Sequence, residues 1–208
     1  MGIYIYFTAD ESRIDCKEWK NTFGDALLVA QAGKLCGIEK EEYEGHVYYA
    51  GIPAARETQG DWDGMEIGGE LRTGSTMETH YIPRSFGVDV PDTGSGQSML
   101  ALYLSEPEKY SLTRPDAAWI LCNKTQGTPA HIWLLAMACV FCDRFPDACY
   151  LSGDITAGQV YRAVRLAEEV LGRTIKPPVA YDMEQLLSRV QTLAKGDAEM
   201  VCGGLPDP

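Results

Sequence analysis

Basic residues are scarce in this chain. Eighteen Lys and Arg stand against 30 Asp and Glu, for a formal net charge of −12 and a sequence pI near 4.6. A surface of that sign repels nucleic-acid phosphates and anionic headgroups, so neither nucleic acid nor membrane is expected as a partner. Aromatic residues do not alternate with basic ones, which removes the single-strand stacking platform as well. Long apolar runs are missing too. The longest, Ile132 to Cys142, has eleven residues where a bilayer needs about 20. Met1 to Phe7 lacks a basic n-region and soon meets Asp10 and Glu11, so no secretory leader is expected.

Cysteine is present without a framework. The seven thiols, Cys16, Cys36, Cys122, Cys139, Cys142, Cys149 and Cys202, are odd in number and irregularly spaced, which reads as a reduced, cytoplasmic protein. Cys139 and Cys142 have C-x-x-C spacing but fall inside an apolar helix, whereas redox pairs use a helix N-terminus; two small buried hydrophobes is the better reading. His46, His80 and His131 lack ligand spacing, and Asp61, Asp63 and Glu66 lack the terminal glutamate of an EF-hand loop. No metal and no cofactor are expected. Lys124-Thr125 before Gly127 reverses the order a phosphate loop requires.

What is there suits one folded unit, with 45% hydrophobic and 23% charged residues. The expectation is a single α/β-type domain over residues 1–200, a glycine-rich antiparallel insert at about 53–98, and a tail or linker at 201–208. The fold class is α+β with a mixed sheet: an N-terminal strand–helix, antiparallel strands, then a C-terminal β-α-β-α unit with a parallel strand pair. Gly2 to Phe7 alternates as a strand, and Ser12 or Asp15 caps the helix after it, which Gly33 and Gly37 end. His46 to Ile52 is the next strand. Met65–Arg72 and Thr76–Arg84 form a hairpin around Thr73-Gly74-Ser75. Pro91 to Gly96 is a loop, Met99 to Leu104 is either strand or helix, and Asp182 caps a final helix.

The unit from Ala117 to Gln159 organises the rest. A short strand leads to the polar loop Asn123-Lys124-Thr125-Gln126-Gly127, and Thr128 with Pro129 then opens the all-apolar helix. Ala148 to Leu151 follows as a second strand, and Thr156 with Gln159 has capping-box spacing before a striped helix. Were the two strands parallel neighbours, both loops would emerge at one sheet edge and feed helix N-termini, where open α/β sheets bind ligands.

That edge supplies the candidate site. His131 is the candidate general base and Asp154 its orienter, with Ser152, Thr125 or Cys122 as an activated nucleophile. Asn123, Lys124, Thr125, Gln126, Thr128, Ser152, Thr156 and Gln159 are the candidate ligand-binding residues. The bland alternatives are a Lys124–Asp154 surface ion pair, a turn-forming Asp154 and a structurally hydrogen-bonded His131.

Three segments, Asn123 to His131, Cys142-Asp-Arg-Phe-Pro146 and Ser152 to Gln159, resemble a group of uncharacterised bacterial proteins. The resemblance implies a bacterial source and a further domain in a longer parent protein, and it carries no activity. Two functions are therefore expected. The first is a cytoplasmic protein-interaction or regulatory module, its acidic 61–109 segment meeting a protein partner. The second is a small-molecule hydrolase or transferase built on His131 and Asp154.

Overall fold

Alternation builds the first strand. In the computed structural model, which describes residues 3–40, 45–49, 64–85, 117–125 and 127–191, Ile5, Phe7 and Ala9 of β1 (Ile5–Asp10) are fully buried while Tyr6 and Thr8 are half-buried. Helix α1 (Cys16–Ala32) starts where Asp15 accepts the Glu18 N–H at 2.8 Å, which selects Asp15 over Ser12 as the cap. Its apolar stripe buries Trp19, Phe23, Ala26, Val29 and Ala30.

Gly33 ends that helix, but Gly37 does not belong to its end. It lies within β2 (Leu35–Lys40), a strand the sequence pattern conceals because glycine and charged residues interrupt its apolar alternation. Strand β2 pairs with β3 (Gly45–Tyr49) and with β4 (Gly64–Glu70), and β4 turns through residues 71–74 into β5 (Ser75–Pro83). The hairpin around Gly74 is as the sequence reads. Glu70, almost fully buried, closes it by accepting the N–H groups of Arg72 and Thr73. The loop at 91–96, the apolar stretch at 99–104, the tail at 201–208 and most of the acidic 61–109 segment lie outside the described residues.

The second half runs β6 (Ala117–Leu121), α2 (Ala130–Arg144), β7 (Cys149–Gly153) and α3 (Ala157–Leu171), with residues 183–191 forming α4. Helix α2 is buried on nearly every side; Leu134 through Cys142 are all core. Trp19 of α1 stacks on Phe141 at 4.3 Å between ring centroids, and Phe7 of β1 meets the same ring at 5.8 Å. Truncating a ring so enclosed costs about 3–5 kcal/mol. Asp182 caps α4 by accepting from the N–H groups of Glu184 and Gln185.

The parallel strand pair is overturned. Every strand pairing among the described residues is antiparallel, in two sheets ordered β6-β1-β7 and β3-β2-β4-β5, and no mixed sheet is found among them. Strand β1 lies between the two strands expected to be neighbours. The alternation in β7, where Cys149 and Leu151 are buried while Tyr150 and Ser152 are half-buried, suits an antiparallel sheet covered on one face. Both β6 and β7 oppose β1, so they run the same way and their exits emerge at the same end, one on each side of Tyr4.

Candidate functional site

The exits are stitched to the start of β1. On the β6 side, the Thr125 N–H donates to the Ile3 carbonyl at 2.8 Å; on the β7 side, the Asp154 N–H donates to the Tyr4 carbonyl at 3.0 Å. Gly153 is required here. Its φ is +125°, and a Cβ would come within 2.5 Å of the Tyr4 carbonyl oxygen.

From this junction the chain climbs to His131 by successive turns. Thr128 N–H donates to the Thr125 carbonyl at 3.0 Å and His131 N–H to the Thr128 carbonyl at 2.9 Å. Thr128 does not cap α2 through its side chain. Pro129 occupies the cap position, already helical at φ −55° and ψ −27°, and the Thr128 hydroxyl points to the Met77 sulfur at 3.8 Å. Thr156 does cap α3, with a complete capping box: its hydroxyl accepts the Gln159 N–H, and the Gln159 Oε1 accepts the Thr156 N–H at 2.8 Å.

These two helix starts face each other across a cleft of about 840 Å³. Thr128 and His131 line one side, Thr156, Gly158, Gln159 and Arg162 the other, with Arg72, Ile132, Trp133 and Leu166 completing the wall. His131 is only 3% exposed, and its ring is held at both nitrogens. Thr125 Oγ1 lies 2.8 Å from Nδ1 and Gln159 Nε2 lies 3.4 Å from Nε2. The Thr125 hydroxyl donates its one proton to the Ile3 carbonyl at 3.1 Å, so it accepts from His131. Nδ1 therefore carries the hydrogen, and Nε2 is the basic nitrogen, facing the Gln159 amide. Burial lowers the His131 pKa below that of a free imidazole and keeps the ring neutral.

Among the residues nominated from sequence, Thr128, His131, Thr156 and Gln159 come together on the cleft, with Thr125 buried beneath His131. The others are employed elsewhere. Asn123 donates its amide to the Thr79 carbonyl at 2.6 Å, and the Lys124 N–H donates to Glu78 at 2.8 Å, so both tie the loop to β5. The Lys124 ammonium sits 5.4 Å from the Tyr4 ring, and its hydrogen bond with Tyr4 raises its pKa. Asp154 accepts from the Tyr4 N–H at 3.2 Å and does not line the cleft, while Ser152 lies opposite Tyr6 in the β1–β7 ladder. Lys124 and Asp154 thus flank Tyr4 from opposite sides. Gln126 lies outside the described residues.

Sequence reasoning missed Arg72, Trp133 and Arg162. The last had a local signal, since Gln159, Arg162 and Leu166 recur at three and four along α3 and share a face. Arg72 had none: it arrives from the β4–β5 turn, where its guanidinium donates to the Ala32 carbonyl at 2.7 Å and lies 5.8 Å from the Trp133 ring. Cys139, Cys142 and Cys149 are buried with thiol pKa values pushed up by burial, which leaves them unreactive. No group of metal-ligating side chains occurs among the described residues, nor is any of their helices long and apolar enough to cross a membrane. Comparison with protein-family models, curated proteins and solved structures finds no match, and the reading of the cleft rests on its own geometry.

Proposed function

We propose that this protein binds a small molecule in the His131 cleft and acts on it as a hydrolase or transferase. One observation carries the reading. A neutral imidazole, clamped through Nδ1 by a threonine that is itself anchored to the backbone, leaves Nε2 as a fixed basic nitrogen beside an 840 Å³ cleft. Such a nitrogen accepts a proton from a bound hydroxyl or water. Thr125 takes the orienting role first assigned to Asp154, and Gln159 is the group a substrate displaces from Nε2, its hydrogen bond there being long at 3.4 Å.

Gly158 gives the test. An added Cβ there meets only the Thr156 hydroxyl at 3.9 Å, so Gly158→Leu fits the helix and puts a bulky side chain on the cleft wall beside Gln159. A metabolite library is screened by thermal shift against both proteins. A ligand at 100 times its Kd stabilises by about 2.7 kcal/mol, several degrees for a chain of this size. Hits lost in Gly158→Leu support the reading; a screen whose hits all survive the substitution, or that yields none, defeats it.

A protein-interaction role keeps one specific support. Met183, Leu187 and Val190 of α4 are 68%, 53% and 41% exposed and recur at four and three, a stripe of the kind partner helices cover. Leu187→Glu, compared with the parent by sizing and cross-linking, tests it: unchanged behaviour removes the support.

A further inference from the structure

We infer that the cleft takes an anionic ligand, a carboxylate or phosphate monoester carried on a flat apolar body, with Arg162 and Arg72 binding the charged end. The inference rests on the cleft being the binding site. In a chain with 30 acidic residues and 18 basic ones, no carboxylate is among the described residues that line the cleft, and two arginines are. That local reversal of sign focuses positive potential into a walled space, where an oxyanion is held more strongly than on an open surface.

The arginines differ in how far they are committed. Arg72 gives one nitrogen to the Ala32 carbonyl and lies 5.8 Å from the Trp133 ring, which anchors one edge of its guanidinium and leaves further donors to fork onto an oxyanion. Arg162 meets no partner among the described residues. It stands one turn from Gly158, whose N–H belongs to the unsatisfied first turn of α3 because the capping box is spent on Thr156 and Gln159. Beside them, the half-buried Ile132, Trp133 and Leu166 leave apolar surface for the body of the ligand. Trp133 and Ile132 are the apolar residues of this helix that the core leaves partly uncovered, and both line this space.

The test uses three matched probes, phenylacetate, phenyl phosphate and the neutral phenylacetamide, titrated into the whole protein and followed by amide chemical shifts. At least one anion binds, the amide binds tenfold more weakly or worse, and Arg162→Gln weakens the anion roughly tenfold or more, as expected for loss of a charge-assisted hydrogen bond. Arg162 is exposed and unpaired, so its replacement leaves the fold intact; Arg72→Gln gives up the Ala32 contact and serves as the second variant. Equal binding of acid and amide, abolished by Gly158→Leu, overturns the anionic ligand and leaves the cleft standing. Binding that survives Gly158→Leu overturns the site itself. A protein that binds none of the three overturns the inference and leaves the proposed function to the library screen.

Discussion

Two histidines divide the molecule. His131, at the start of α2, is 3% exposed and has a partner at each ring nitrogen; His80, on β5 of the four-stranded sheet, is 1% exposed and has none at either among the described residues. Both are held neutral by burial, His80 with its pKa lowered to about 4. Burial by itself therefore says nothing about use. What separates them is what surrounds the ring: a hydrogen-bonded relay and a cleft in one case, closed core in the other. An orphaned polar group costs free energy wherever it sits, whereas a satisfied one on a cleft wall is a tool held ready.

The sharpest way to break the first region is through the junction beneath it. Gly153→Ala forces a Cβ against the Tyr4 carbonyl at a φ that side chains avoid, and it should destabilise by at least about 3 kcal/mol in urea unfolding. The second region breaks with acid. Between the normal imidazole value of 6.5 and the folded His80 value of about 4, the unfolded chain takes up a proton that the folded chain refuses. Stability is thus complete above pH 6.5 and falls as pH drops toward 4, by about 3 kcal/mol from this group. His131 acts in the same direction. His80→Leu should flatten the decline, and urea midpoints measured from pH 7 to 4 check it.

One substitution at both positions sharpens the contrast. At pH 7, His80→Leu removes two orphaned nitrogens and should stabilise by about 1 kcal/mol, while His131→Leu takes the donor from the Thr125 oxygen and the acceptor from the Gln159 amide and should destabilise by about 1–3 kcal/mol. The two signs are read from denaturant midpoints; equal signs would erase the distinction. An equally small effect is expected at Thr156→Ala, which removes the α3 capping box for about 1 kcal/mol by thermal unfolding and loosens Gln159 against His131.

The local parts of this fold were legible because short-range chemistry decides them. Asp15 and Thr156 cap where their side chains reach the N–H three residues on, Gly74 turns a hairpin, and the run from Leu134 to Cys142 is buried because it is apolar all round. The order of strands was not legible. Ile5, Phe7 and Ala9 alternate equally well in a central or an edge strand, so nothing local marks β1 as the one inserted between β6 and β7. Half of the candidate site followed the same rule. Thr128, His131, Thr156 and Gln159 meet because both helices start at one end of the sheet, and that much survives a wrong strand order. Asp154 follows from placing its loop across from His131 at one sheet edge, but its carboxylate answers to the Tyr4 N–H, a partner 150 positions away. Arg72 reaches the cleft only through the packing of one sheet's turn against α1 and α2, which no window of sequence contains.

The placement of β1 also sets a schedule for assembly. The ribosome makes this middle strand more than a hundred residues before β6, and further still before β7, the partners on its two edges. Until Leu121 has emerged, both of its hydrogen-bonding edges await segments still to be translated, and one edge waits on until Gly153; pairing across such separations is slow. The growing polypeptide must therefore carry an unpaired, alternating strand through most of its synthesis, a stage at which chaperones and neighbouring chains compete for it.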